Sequence, residues 1–575
     1  FTDYDAYIEE VMNSWSCPGV AIAVVKGEEV LHMGAYGLRD VEQKLPMTED
    51  TRFALASSTK PFTSMCIAML VDEGKLKWDT PVREYMPEFI LNDNYATQNV
   101  TVRDMLCHRT GMPRHDFAAW NLQVSREEFI PRMRHLKFNK TFREVFQYNN
   151  LMFYSAAYLV DKVSGQKYED FVQERIFGPL KMTHSNLQPE PPSMDMFNTK
   201  GYMIKRDENG NPDGFVDIPY GTYTELSPGA AGGLFSTLDD LTRWLTVHAN
   251  KGKFEGEELV SYGNLWQMHS PQVVIPAGPA REAMTGTSIF CYGLGWFIEP
   301  YRGEALVHHG GNISGFSVMT GCIPTKDIGV VVLTNAAYLP VRDLLMYESI
   351  DRALDLPDKD WNGMYHQRMD PIFKGQAKGK QTSEEDKAVD ASPTHPPEDY
   401  CGLFTIDGYP DFEVKQEGDG YLARTVKSLE WDKLEHYHYN IFELHMSDYD
   451  VRIKIQYQVN DNGEIDAISI PLESGIGPMI FKRKPLELGE DQLNAVTGEY
   501  DLPMEGFTVT ISVREGKVFS TQTGSPAVEI KPIKVEKDVL TFKYANQRLE
   551  FHLKDGKAHQ LVIKTEGMTM ELPRL

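Results

Sequence analysis

The period of the hydrophobic pattern changes three times along this chain. Near the start, Ala6, Tyr7, Val11 and Trp15 share one side of a 3.6-residue repeat and predict a short amphipathic helix. Two apolar runs, GVAIAVV and EVLHMGAYG, then flank Lys26-Gly27-Glu28 and predict a β-hairpin. A helix-rich middle follows. Near residue 304 the strand pattern returns as EALVHH, FSVMTGCI and IGVVVLTNA, the last two separated by Pro324-Thr325-Lys326-Asp327. Strands at both ends of one segment, with helices between them, predict an α+β domain over residues 1–365 whose sheet draws on both ends.

From about residue 366 large apolar residues nearly vanish while lysine, glutamate, serine and proline dominate, which predicts a linker at 366–394. Beyond it come short alternating strands with glycine turns, such as FEVKQEGDGYLARTV and FTVTISVREGKVFST. Tyr400-Cys-Gly-Leu-Phe opens one unit and Val496-Thr-Gly-Glu-Tyr the other. This weak repeat predicts two small antiparallel β-barrels or sandwiches, at 395–485 and 486–575. His436 and His438 in LEHYHYNIFEL fall on one strand face, but with no third ligand nearby they read as ordinary strand residues rather than a metal site.

Composition narrows the function classes. The 575 residues carry 58 basic and 83 acidic side chains, a formal net charge of −25, which argues against a nucleic-acid partner or a basic membrane patch. No apolar run approaches the roughly 20 residues of a membrane span. The six cysteines are scattered without a C-x-x-C pair or zinc-like spacing, so neither a metal nor a disulfide framework is indicated, and no cofactor motif is present. Small molecules or peptides are the expected partners, and nothing opposes assembly into a homo-oligomer. The chain opens at Phe1, which fits either a trimmed chain or removal of a leader and a secreted or periplasmic location.

Candidate chemistry begins at ALASSTKPFTSM, residues 54–65. Lys60 lies one helical turn after Ser57, on the same face, whereas Ser58 points roughly 160° away from it around a helix. Pro61 is tolerable only in a first turn, so the helix begins beside Ser57, where free N–H groups favour an alkoxide or oxyanion. A serine merely capping a core helix is the plain alternative. A second S-x-x-K, Ser164 to Lys167, sits where a helix ends at Gly165 and lacks that context. Tyr148-Asn149-Asn150 precedes another amphipathic helix; alone, Tyr148 reads as a half-buried aromatic and Asn150 as a cap. EALVHHGGNISGF runs from a strand into paired glycines, which suit either a backbone approach by a peptide-like ligand or a bulge.

In this order, these three stretches resemble the penicillin-binding-protein-like serine hydrolases, the superfamily of class C β-lactamases, D-aminopeptidases and esterases. LCHRTGMPRHD and PGAAGGLFSTLDDLTRWL are similar to two further family segments, so the resemblance spans residues 5 to 355. It implies the class C β-lactamase-like catalytic fold, an acylated Ser57, Lys60 as proton acceptor or electrostatic activator, Tyr148 as acid/base partner and Asn150 as a substrate anchor. The family's H-x-G-G-x-x-G-F, aligned back from Phe316, assigns His309 and Gly311 to the substrate site and leaves His308 outside it. The backbone N–H groups of Ser57 and Asn312 become the oxyanion hole. His115, just after the Gly-x-Pro turn, is either a pocket residue or a surface-loop residue.

Lysine stands in true β-lactamases where this chain has His309. A histidine near its reference pKa of about 6.5 is mostly neutral at pH 7 and holds a carboxylate poorly. The expected activity is therefore hydrolysis of small peptides or esters, D-aminopeptidase-like, with weak β-lactamase or acyltransferase activity as alternatives. A non-catalytic binding protein on the same fold is the rival. The two β domains are expected to limit substrate size or shape an oligomer, or to bind a ligand in a lipocalin-like way.

Overall fold

A computed structural model describes residues 1–119, 124–187, 198–218, 229–385, 391–426, 431–446, 451–504, 506–545, 547–565 and 567–575. Contacts divide the chain into two units, Phe1–Lys482 and Arg483–Leu575.

In the first unit, helix α1 (Tyr4–Trp15) leads into the predicted hairpin of β1 (Gly19–Lys26) and β2 (Glu29–Asp40). Lys26 pairs with Glu29, so the turn is Gly27-Glu28, and Gly27 takes the positive φ of 62° that glycine adopts without steric cost. The middle is helical, including α2 (Lys60–Asp72), α3 (Asn150–Ser164) and α4 (Leu238–Ala249). The returning strands are β3 (Phe297–Tyr301), β4 (Glu304–Ile313), β5 (Phe316–Ile323) and β6 (Ile328–Thr334), followed by α5 (Val341–Ala353).

One antiparallel sheet is assembled from both ends, as the pattern predicts. β6 pairs with β1, Val24 opposite Val330, and the order β3-β4-β5-β6-β1-β2 is extended by two-residue strands at each edge. Both faces are covered. Ala21, Ala23, Val318, Val331 and Leu333 join the core of α2, α3 and α4, while Val20, Ile22, Val24, Val330 and Val332 pack with α1 and α5. Burial on both faces is why these strands read as unbroken apolar runs, and each fully buried valine, leucine or isoleucine contributes about 1.5–3 kcal/mol.

The segment with linker composition is helical as far as Glu385, in α6 (Trp361–Glu385). Trp361, Met369, Tyr365 and Phe373 recur every four residues on its packed side, and the Arg206 guanidinium lies 3.5 Å from the Phe373 ring centroid. Window-averaged composition hides so sparse a stripe. Eight strands from Gly402–Thr405 to Met479–Arg483 then close an antiparallel barrel. In its sequence the register slips between His436 and His438, and the His436 ring donates to the Tyr439 carbonyl. The second unit holds eight antiparallel strands, Gly498–Asp501 to Met568–Pro573, nearly closed by a bridge between Tyr500 and Arg574. Among the described residues no helix is long and apolar enough to cross a membrane.

Candidate active site

Ser57 sits in a 3-10 turn, Ala56–Thr59, that runs directly into α2. With three residues per turn, positions i and i+3 line up more closely than in an α-helix. Lys60 Nζ accordingly lies 3.0 Å from Ser57 Oγ and donates to the Ala231 carbonyl at 2.8 Å. The turn is strained at its start, where Ala56 has a left-handed φ of 45°. Long-range contacts hold it: Leu55 N–H bonds the Leu234 carbonyl, and the Ser58 hydroxyl donates to the His309 carbonyl at 2.9 Å. Ser58, the serine turned from the amine, thus fastens the turn to β4. The other S-x-x-K serine, Ser164, bonds back to the Val160 carbonyl at the end of α3.

Tyr148 lies beside Ser57 and Lys60: Lys60 Nζ is 4.7 Å from its ring centroid, and the Ser57 side chain exerts a lowering pull on its phenol. Burial drives both groups toward neutrality. It pushes the Lys60 ammonium well below its usual range, helped by the Arg114 charge, and pushes the Tyr148 phenol up against the lowering pull of Ser57. The helix cap is Asn149 rather than Asn150. Its side chain accepts from Met152 N–H and donates to the Pro113 carbonyl at 2.5 Å. Asn150 is the first residue of α3, and its amide donates to Asp116 at 2.9 Å.

On β4, His309 lies beside Tyr148, ring centroids 6.3 Å apart. Its Nδ1–H donates to the Gly310 carbonyl at 2.8 Å, so Nε2 accepts from the Tyr292 hydroxyl at 2.9 Å. Burial and the nearby Lys60 hold it far below its ordinary pKa, so it is neutral. His308 is on the other face, 3.3 Å from Glu299. The paired glycines make room for protein, not for an open edge. A Cβ on Gly311 would sit 2.0 Å from the Leu55 carbonyl oxygen, and one on Gly310 would meet the Arg342 guanidinium at 3.0 Å. Asn312 is exposed, and its side chain accepts from the Ser317 hydroxyl.

His115 is buried, so the surface-loop alternative is wrong. Its Nε2–H donates to the Lys137 carbonyl at 2.8 Å, and Nδ1 therefore accepts from the Tyr409 hydroxyl at 2.6 Å. Sequence reasoning missed several neighbours. His108, inside LCHRTGMPRHD, has a left-handed φ of 60°, takes the Asn149 N–H on Nδ1 and lies 4.3 Å from the Tyr148 ring. Arg114 places its guanidinium 5.2 Å from that ring and pairs with Asp116 at 2.7 Å. The quoted motif was a signal for both, whereas Tyr292, Arg342 and Tyr409 carried none. Among the described residues no group of three or more His, Cys, Asp or Glu is placed to hold a metal.

A family model described as Beta-lactamase matches residues 4–355, and one described as a domain of unknown function (DUF3471) matches residues 386–483. The chain is 30% identical over 379 residues to Unguisins hydrolase ungD' of Aspergillus campestris, which covers 63% of this chain and 68% of that protein. The octameric penicillin-binding protein homologue from Pyrococcus abyssi is similar in fold, with a TM-score of 0.55 at 22% identity over 99% of this chain and 98% of that one. The D-amino acid amidase from Ochrobactrum anthropi has a TM-score of 0.50 at 24% identity over 61% of this chain and 98% of its own.

Proposed function

The chain belongs to the beta-lactamase family, and on that premise we propose that it is a serine hydrolase that opens amide or ester bonds of small peptides or esters through an acyl-Ser57 intermediate. One observation carries this reading: the Ser57 hydroxyl lies 3.0 Å from the amine of a buried lysine whose pKa burial lowers, beside a half-buried tyrosine whose pKa burial raises. A neutral amine has a lone pair to accept a proton, and a neutral phenol has a proton to give. The naming of a relative as a hydrolase supports the same reaction class.

In acylation, Ser57 Oγ attacks the substrate carbonyl carbon as its proton passes to Lys60 Nζ. The developing oxyanion is received by the backbone N–H groups of Ser57 and Asn312. The Tyr148 hydroxyl gives its proton to the departing amine or alcohol and is restored by the proton Lys60 took. Water then attacks acyl-Ser57, its proton passing through the same pair, and Ser57 Oγ–H is regenerated as the acid leaves. An amine or alcohol in place of that water makes the site an acyltransferase. Asn150, its amide held on Asp116, turns its carbonyl oxygen to a substrate N–H.

A neutral His309 with both ring nitrogens engaged provides no charge for a carboxylate, so cephalosporin turnover is expected to be slow. The test is a panel of p-nitrophenyl esters, L- and D-aminoacyl anilides and nitrocefin, run on wild type and Ser57→Ala. Turnover of an ester or anilide that Ser57→Ala loses is expected. Turnover of none points to the rival binding protein, and efficient nitrocefin hydrolysis overturns the role given to His309.

A further inference from the structure

The first barrel reaches the catalytic domain through two loops, and both end on one residue. His115 is a non-glycine residue with φ of 48°, a conformation that costs roughly 1–2 kcal/mol. Three hydrogen bonds hold it there. Its backbone N–H donates to Glu473 Oε2 at 2.6 Å, its Nδ1 accepts from Tyr409, and its Nε2–H donates to Lys137. Each barrel loop comes close by means of a glycine: a Cβ on Gly408 would meet His135 and Leu136 at 3.0 Å, and one on Gly475 would meet the Asn139 amide at 2.7 Å.

The turn held in this way has two outputs. Arg114 carries its guanidinium over the Tyr148 ring, and Asp116 receives both Arg114 and the Asn150 amide. Neither Glu473 nor Tyr409 contacts Ser57, Lys60 or Tyr148 among the described residues. We propose that Glu473 is a positioning residue: by gripping the backbone N–H of His115 it sets the neighbouring Arg114 against Tyr148 and Asp116 against Asn150, so that the first barrel completes the active site rather than filtering substrates by size. This rests on the serine-hydrolase reading for its effect on rate, but not for its effect on the turn.

Two readouts test it. The first is the second-order rate of Ser57 labelling by a fluorophosphonate. Glu473→Ala is expected to slow labelling by about tenfold to a hundredfold, as for a small displacement of positioning groups. Glu473→Gln, whose amide oxygen accepts the same His115 N–H, restores most of it. In an Arg114→Ala background the further cost of Glu473→Ala shrinks, because the grip acts through that side chain. Equal labelling of Glu473→Ala and wild type, or the same factor lost in both backgrounds, overturns the proposal.

The second readout does not depend on activity. Trypsin is expected to cut after Arg114 in folded Glu473→Ala but not in wild type or Glu473→Gln. Equal protection of all three overturns the proposal. If wild type and Ser57→Ala label alike, the hydrolase reading falls while the trypsin pattern still decides whether Glu473 holds the turn.

Discussion

Residues 56–60 carry the Ser57 hydroxyl and its amine, residues 114–116 flank the ring of Tyr148, and the two stretches differ in how much of their geometry is local. In the first, the three-residue spacing within one 3-10 turn brings amine and hydroxyl together, and long-range bonds from Leu55 and Ser58 hold the left-handed Ala56 that opens it. In the second, nothing local favours the conformation. His115 keeps a left-handed φ because Glu473 and Tyr409, 358 and 294 residues further along, bond to it. The spacing of Ser57 and Lys60 is therefore encoded locally, while the bonds that hold their turn and the electrostatic setting of Tyr148 are encoded at long range.

The largest effect that can break this contrast is at the nucleophile turn. Ser57→Ala is expected to lower kcat/KM for an active ester by about 10⁴-fold or more. Ser58→Ala should instead act on stability, by roughly 0.5–1.5 kcal/mol read in urea melts, because it removes the shorter of two hydroxyl donors to a buried carbonyl, Thr320 being the other. A loss of activity in Ser58→Ala as large as that in Ser57→Ala contradicts the assignment of the two serines. Next, Tyr148→Phe keeps the ring and removes the proton, so kcat should fall by about 10²–10⁴-fold with KM little changed. An unchanged kcat excludes Tyr148 as the acid.

A smaller effect separates the two glycines of β4. Gly311→Ala drives a methyl into the backbone carbonyl of Leu55, which cannot yield, and is expected to cost about 1–3 kcal/mol with a matching fall in Tm. Gly310→Ala meets the movable end of Arg342 and should cost less. The reverse order would show that β4 and the nucleophile turn do not touch as described.

The smallest effect is a slope. Lys60 has a folded pKa well below its unfolded one, so between those two values the unfolded chain binds one proton more. Stability from this residue is then full above the unfolded pKa and is lost as pH falls toward the folded value, at about 1.4 kcal/mol per pH unit within the window. Lys60→Met removes that slope. Its stability relative to wild type should rise steadily as pH is lowered from about 10 toward neutrality, as measured by denaturant melts at several pH values. A parallel pair of curves means that Lys60 stays charged.

Much of the scaffold was legible because its signals are periodic or local. The strands of both sheet ends, the hairpin at Gly27 and the paired barrels announced by Tyr400 and Tyr500 all lie in short runs of sequence. Both tyrosines are fully buried, as the repeat implies. What escaped depends on partners. α6 was hidden in a polar composition because its packed residues, Trp361, Met364, Tyr365, Met369 and Phe373, are sparse along it. Asn149 and Asn150 are alike in sequence, and only the start of α3 decides which one caps. Gly310 and Gly311 looked like room for a ligand, but their missing side chains are replaced by Arg342 and Leu55. Glu473 carried no motif at all, since a carboxylate on a barrel loop acquires meaning only from the turn it holds.

In the proposed reaction Ser57 carries the acyl group and Lys60 takes its proton. Peptide mapping after fluorophosphonate labelling of the full chain tests this most directly. The expected result is one adduct, on Ser57 and not on Ser58, lost in Ser57→Ala and strongly slowed in Lys60→Ala. An adduct on another residue, or labelling that survives Ser57→Ala, contradicts it.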